Sequence, residues 1–176
     1  MQIIGISAYY HDAAVALVRD GQIVAAAQEE RFTRIKNDAA FPVHALRHCL
    51  EHGEVESGGV DAVVYYEKPL TSFGRVLRSY VAGGPAALRT FPSTMADWGQ
   101  RKLWAGLEIE KALHQLGYRP PHRRVLYAEH HVSHAASAFF PSPFESACVL
   151  TFDGVGEWAT SSIGHGIGNR VDLLQE

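Results

Sequence analysis

The chain has 176 residues, 47% hydrophobic and 20% charged, a balance that suits a globular domain with a proper core and excludes disorder and fibres. Its formal charge of -3, with no long basic run, argues against nucleic acid or a membrane surface as the main partner and points to small molecules. The first apolar stretch is broken by His11 and Asp12, which fits neither a signal peptide nor a membrane span, and Cys49 and Cys148 read as buried thiols of a reducing compartment, so a cytoplasmic location is expected.

In chain order, Ile3–Ser7 is a continuous apolar run that predicts a central strand buried on both faces. Ala13–Arg19 and Gln22–Gln28 flank Asp20-Gly21, a dipeptide suited to a two-residue hairpin turn, so three antiparallel strands open the fold. Pro42, Val43, Leu46 and Leu50 have helical spacing with Gly53 near the end, and Val60–Tyr66 reads as another buried strand. From Ser72 to Leu116 the pattern is helical, interrupted at Gly83-Gly84-Pro85 and Phe91-Pro92-Ser93. Ser93 is placed to cap the helix that carries Trp98, Leu103, Trp104 and Leu107. Pro120-Pro121 ends this stretch, Arg124–Ala128 predicts a short strand, and His130–Phe139 predicts a helix stopped by Pro141-Ser142-Pro143. Ala147–Phe152, Ala159–His165 and Arg170–Gln175 are three further strands joined by glycine-rich turns.

The closing strands repeat the β-β-β opening. An α/β lobe of order β-β-β-α-β-α, followed by the start of a second β-β-β lobe, is the duplicated plan of actin-like (ribonuclease H-like) ATPases and sugar kinases. The expected division is a first lobe over 1–143, with a helical insertion at about 72–116, and the truncated start of a second lobe over 144–176. A three-stranded meander without covering helices leaves one face open, so its cover is expected from a continuation of the chain, from a second copy in a homo-oligomer, or from the insertion.

Several residues carry chemistry. On a helix His130 and His134 share one face at about 5–6 Å between Cβ atoms, and Asp153 ends an apolar strand where its charge needs a cation or hydrogen-bond donors. Two imidazoles and a carboxylate suit Fe(II), Zn(II) or Mn(II), although His-x-x-x-His alone fits polar residues at a helix start equally well. Asp153-Gly154-Val155-Gly156 can bring backbone amides against a phosphate, or can simply be a tight hairpin. Ser7, Tyr9, Tyr10, His11 and Asp12 form a polar cluster after the central strand, in which His11 can take a proton from an alcohol and Asp12 can orient it. Arg31 and Lys36 lie in the mixed-charge stretch Glu29–Asp38, either a solvated loop or a source of contacts to phosphate or carboxylate. His44, His48, His52 and His114 read as surface residues of helices, and Phe91, Trp98, Trp104, Phe139 and Phe140 as core or lobe contacts.

Four blocks, Tyr9–Ala14, Glu29–Lys36, Glu129–Phe144 and Leu150–Thr160, make the chain resemble the nodulation-type and antibiotic-type O-carbamoyltransferases over nearly its whole length. That family is similar in its amino-terminal domain to the ATPases that make threonylcarbamoyladenosine on tRNA. The resemblance implies ATP-dependent transfer of a carbamoyl group from carbamoyl phosphate, through a carbamoyl-adenylate, to a hydroxyl of a small-molecule acceptor. It places metal ligands at His130, His134 and Asp153, expects a further aspartate beyond residue 176, and implies that the isolated chain does not turn over. A tRNA-modifying ATPase and a non-catalytic interaction lobe are the competing readings.

Overall fold

A computed structural model describes residues 1–87, 89–100, 102–119, 125–154 and 157–176. In chain order the elements are β1 (Gln2–Ser7), β2 (Ala14–Arg19), β3 (Gln22–Gln28), α1 (Glu30–Thr33), α2 (Val43–His52), β4 (Ala62–Tyr65), α3 (Pro69–Ala87) and α4 (Phe91–Gln100). A short 3-10 turn at Lys102–Trp104 leads into α5 (Ala105–Gln115), followed by β5 (Val125–Tyr127), α6 (His130–Phe139), β6 (Ser146–Phe152), β7 (Ser161–Ile167) and β8 (Arg170–Gln175). The chain divides into two compact units, Met1–Tyr65 with Met95–Tyr127, and Tyr66–Thr94 with Ala128–Glu176. Among the described residues no helix is long and apolar enough to cross a membrane.

The first unit is built on a mixed five-stranded sheet of order β3-β2-β1-β4-β5, with β1 central as its apolar run predicts. β1, β2 and β3 are antiparallel neighbours, while β4 and β5 run parallel to β1. The β2–β3 turn places Asp20 at φ 50 and Gly21 at φ 82, the positive angles that a tight hairpin of this twist requires. Helix α2 buries Ala45, Leu46, Cys49 and Leu50, positions that form one stripe at helical spacing, and packs this stripe on β2 and β3. Each fully buried leucine here contributes about 1.5–3 kcal/mol relative to exposure.

Four sequence expectations need correction. Glu29–Asp38 is not simply a solvated loop: it contains α1, and Glu29 is buried. The Glu29 carboxylate accepts the backbone N–H groups of His44 at 3.2 Å and Ala45 at 2.8 Å and meets the His44 ring nitrogen at 2.5 Å. Pro42 offers α2 no capping side chain, so Glu29 satisfies that helix's orphan donors from outside. Ser93 is not a cap, because α4 already starts at Phe91 and the Ser93 hydroxyl donates to the Thr90 carbonyl. Cys148 is exposed, since in β6 the inward parity belongs to Val149 and Thr151. Trp104 and Phe140 are about half exposed, whereas Trp98 and Phe139 are buried as expected. Helix α3 begins at Pro69, three residues before the expected start, and kinks at Gly84, inside the predicted interruption. Arg124 and Pro120-Pro121 lie outside the described residues; β5 occupies the rest of the strand predicted there.

The second unit carries the β6-β7-β8 antiparallel meander. Helix α6 covers one face, with Ala135 and Phe139 packed against Val149, Ala147, Val171 and Leu173. The closest approach is at Gly166 of β7, where an added Cβ would meet the Phe139 ring at 2.5 Å. Only glycine admits the ring there. The other face carries Leu150, Phe152, Ile163 and Ile167, all exposed. In the same unit, Tyr80 of α3 meets Phe91 edge-on at 5.1 Å and Thr94 at 2.6 Å, which sets α4 back against α3.

Candidate metal centre

Helix α6 starts where the sequence places it. Glu129 is extended (φ -74, ψ 142), the helix runs from His130, and Ser133 anchors its first turn by donating to the Tyr66 carbonyl at 2.8 Å. His130 and His134 then fall on one face, one turn apart. Asp153 directly follows β6, and its N–H donates to the Thr160 carbonyl at 2.8 Å, pinning the backbone from which the carboxylate projects.

Three atoms converge. Nε2 of His130 lies 2.6 Å from Oδ2 of Asp153 and 3.0 Å from Nε2 of His134, and the latter is 3.7 Å from Oδ2 of Asp153. A circle through atoms at these separations has a radius of about 1.9 Å, shorter than the roughly 2.0–2.2 Å bonds of a divalent transition ion, so all three donors reach one ion without rearrangement. Two imidazole nitrogens and one carboxylate oxygen form the borderline donor set that suits Fe(II), Zn(II) or Mn(II) and leaves coordination positions for other groups.

The electrostatics favour a neutral ring at His134. Burial, reinforced by the neighbouring His130, pushes the His134 pKa below its ordinary value, and Asp153 only partly opposes this. A neutral ring keeps the nitrogen lone pair available for a cation. His130 is the more buried of the two, with its ring edge toward Tyr66 at 5.6 Å between centroids.

His131, between the two, takes other partners. Its Nδ1 meets Thr151 Oγ1 at 3.2 Å, and that hydroxyl meets Ser162 Oγ at 2.6 Å across the β6–β7 pair. All three residues are buried. This chain fixes α6 two residues before Asp153, on the same face of the strand. Nε2 of His131 is buried without a hydrogen-bond partner among the described residues. The residue borders a cleft of about 220 Å³ lined also by Lys68, Glu129, His130, Glu157 and Trp158.

Three of these cleft residues were missed from the sequence. Lys68 pairs with Glu129 at 2.6 Å, which raises the lysine pKa, and the Lys68 N–H donates to Glu157 at 2.5 Å. Burial raises the Glu157 pKa. Glu129 and Glu157 stand in the two blocks that carry the histidines and Asp153, but nothing local assigns them a partner near residue 68.

The remaining candidates fall in both units. His11 and Asp12 belong to the first unit, where His11 Nδ1 and Asp12 Oδ2 are 2.8 Å apart and both side chains are exposed. Tyr9 (φ 71) and Asp12 (φ 52) hold the left-handed conformation that folds this turn, and the Tyr10 ring lies 4.5 Å from the His11 ring. Lys102 sits over Tyr10 at 5.5 Å and over Trp98 at 5.0 Å. Arg31 turns to Glu30 at 3.6 Å and Gln28 at 3.5 Å, and Lys36 is exposed. Gly154 is exposed beside Asp153, while Val155 and Gly156 lie outside the described residues.

Comparison with known proteins gives a consistent result. A family profile described as "Carbamoyltransferase N-terminus" matches residues 2–173. The chain is 53% identical over 174 residues to the uncharacterized protein sll1178 of Synechocystis sp., covering 96% of this chain and 28% of that protein. It is 33% identical over 166 residues to the nodulation protein NolNO of Sinorhizobium fredii, covering 94% of this chain and 23% of that protein. The chain thus spans about a quarter of the length of these curated relatives.

Proposed function

The chain belongs to the carbamoyltransferase N-terminus family, and from that premise we propose that it is the amino-terminal part of a cytoplasmic, ATP-dependent O-carbamoyltransferase. Its acceptor is a small molecule bearing a hydroxyl, not a nucleic acid. The β1–β5 sheet followed by the β6–β8 meander is read as an actin-like lobe with the opening strands of a second. The observation that carries the proposal is the convergence of His130, His134 and Asp153 on a common point.

The overall chemistry has two steps. In the first, water displaces phosphate from the carbamoyl carbon of carbamoyl phosphate to leave carbamate, and a carbamate oxygen then attacks the α-phosphorus of ATP as pyrophosphate leaves, giving carbamoyl-adenylate. In the second, the acceptor oxygen bonds to the carbamoyl carbon as AMP leaves. A divalent ion held by His130, His134 and Asp153 supplies positive charge for phosphate oxygens and for charge developing on them. Asp12 holds the His11 ring by its Nδ1, which leaves Nε2 to take the acceptor's hydroxyl proton. Gly154 beside Asp153 leaves the backbone open to a phosphate. Arg31 and Lys36, on an exposed segment, are available to phosphate or carboxylate groups.

The test uses the full-length protein with ATP, carbamoyl phosphate and a divalent ion, following pyrophosphate release. Release that needs carbamoyl phosphate and is lost in His130→Ala and His134→Ala supports the proposal. No release, or release unchanged in both variants, overturns it. Specific capture of tRNA would favour the tRNA-modifying alternative instead.

A further inference from the structure

Asp153 must be held in place from both sides if it is to meet the two imidazoles. Upstream, β6 is fixed by its pairing with β7. Beyond Asp153, whose own N–H is held by the Thr160 carbonyl, the next described contacts run to the start and flank of α3. Lys68 immediately precedes α3, and Thr71 at the third helical position brings no carboxylate to accept the Lys68 N–H, as a capping box would. Glu157, 89 residues away in sequence, takes that place at 2.5 Å. One residue on, the Trp158 ring lies under the Arg78 guanidinium of α3 at 5.0 Å. A third contact, Lys68 to Glu129 at 2.6 Å, joins the residue before α3 to the residue that opens α6.

We infer that Glu157 and Trp158 are positioning residues that clamp the segment bearing Asp153 to the start and flank of α3, so that metal affinity depends on the docking of α3. The inference rests on the metal reading above. The geometry is specific: one hydrogen bond fixes where α3 begins, and one stacked guanidinium fixes its rotation. With the segment after Asp153 released, its carboxylate samples positions away from the histidines and the ion loses its only oxygen donor among the described ligands.

The experiment is a Mn²⁺ titration of the purified chain, wild type and variants, with the Lys68 amide exchange rate read by NMR as a metal-free measure of the clamp. Glu157→Ala is expected to weaken Mn²⁺ binding about 10–100-fold and to deprotect the Lys68 amide. Glu157→Gln keeps an oxygen acceptor and is expected to stay within about threefold of wild type with the amide protected. Arg78→Ala, which touches neither metal ligand nor Glu157, is expected to weaken binding about 2–5-fold. Wild-type binding that Glu157→Ala leaves unchanged overturns the inference alone. A wild-type chain that binds no Mn²⁺ overturns the metal reading and the inference together.

Discussion

Nε2 of His130 stands 2.6 Å from Oδ2 of Asp153, although 23 residues separate a helix start from a strand end. Packing at several points produces this meeting. Phe139 seats the far end of α6 on Gly166, His131 ties its first turn to Thr151, and Ser133 ties the same turn to Tyr66. The two histidines therefore present a fixed edge to the carboxylate. Each support can be removed singly.

Replacing Gly166 with alanine puts a methyl group into the Phe139 ring. The helix must shift or the ring must leave its rotamer, at a cost of about 1–3 kcal/mol. Urea denaturation is expected to show that loss, and metal affinity is expected to fall with it because α6 carries two of the three donors. An unchanged midpoint would mean that the helix is not seated on β7.

Thr151→Val removes the hydroxyl between His131 and Ser162 at nearly constant volume. Nδ1 of a buried ring then loses its partner, for about 1–3 kcal/mol. Thr151→Ser should recover most of it. Stability equal to wild type in the valine variant would show that the chain from His131 to Ser162 contributes nothing.

The lowered pKa of His134 has a definite sign. Below its ordinary value of about 6.5 the unfolded chain takes up a proton that the folded chain resists, so stability falls as pH drops through and below this value. With chelator present, the difference in denaturation between wild type and His134→Gln is expected to change as pH falls below about 6.5 and to be flat above about pH 7. Protons compete for the same nitrogen, so Mn²⁺ affinity should weaken over the same range. A difference that is flat throughout would show that burial does not hold the ring neutral.

The two thiols should part cleanly. Cys49 is fully buried in α2 and burial raises its pKa, whereas Cys148 is exposed on β6. Native chain treated with a thiol reagent is expected to label once, at Cys148, and twice after unfolding, as mass spectrometry would record. Rapid labelling of Cys49 in the native state would place α2 away from the sheet.

Local pattern carried most of the fold. The hairpin at Asp20-Gly21, the helix His130–Phe139 and the strands came from turn chemistry, periodicity and proline stops, which act within a few residues. The histidine pair was legible for the same reason, since a helix makes positions one turn apart neighbours. Glu29 and Glu157 were not legible. Each accepts backbone N–H groups near the start of a helix 15 or 89 residues away, a relation that no spacing encodes. Cys148 was misplaced because an apolar neighbourhood does not reveal strand parity, and one position decides the face. Ser93 failed by three residues, inside a helix that starts without it.

Metal stoichiometry tests the central claim most directly. The purified chain, loaded with Mn²⁺ or Fe²⁺ and freed of excess, is expected to hold about one ion per molecule, and His130→Ala, His134→Ala and Asp153→Ala are each expected to lose it while keeping wild-type circular dichroism. Full occupancy in all three variants, or none in the wild type, would contradict the account.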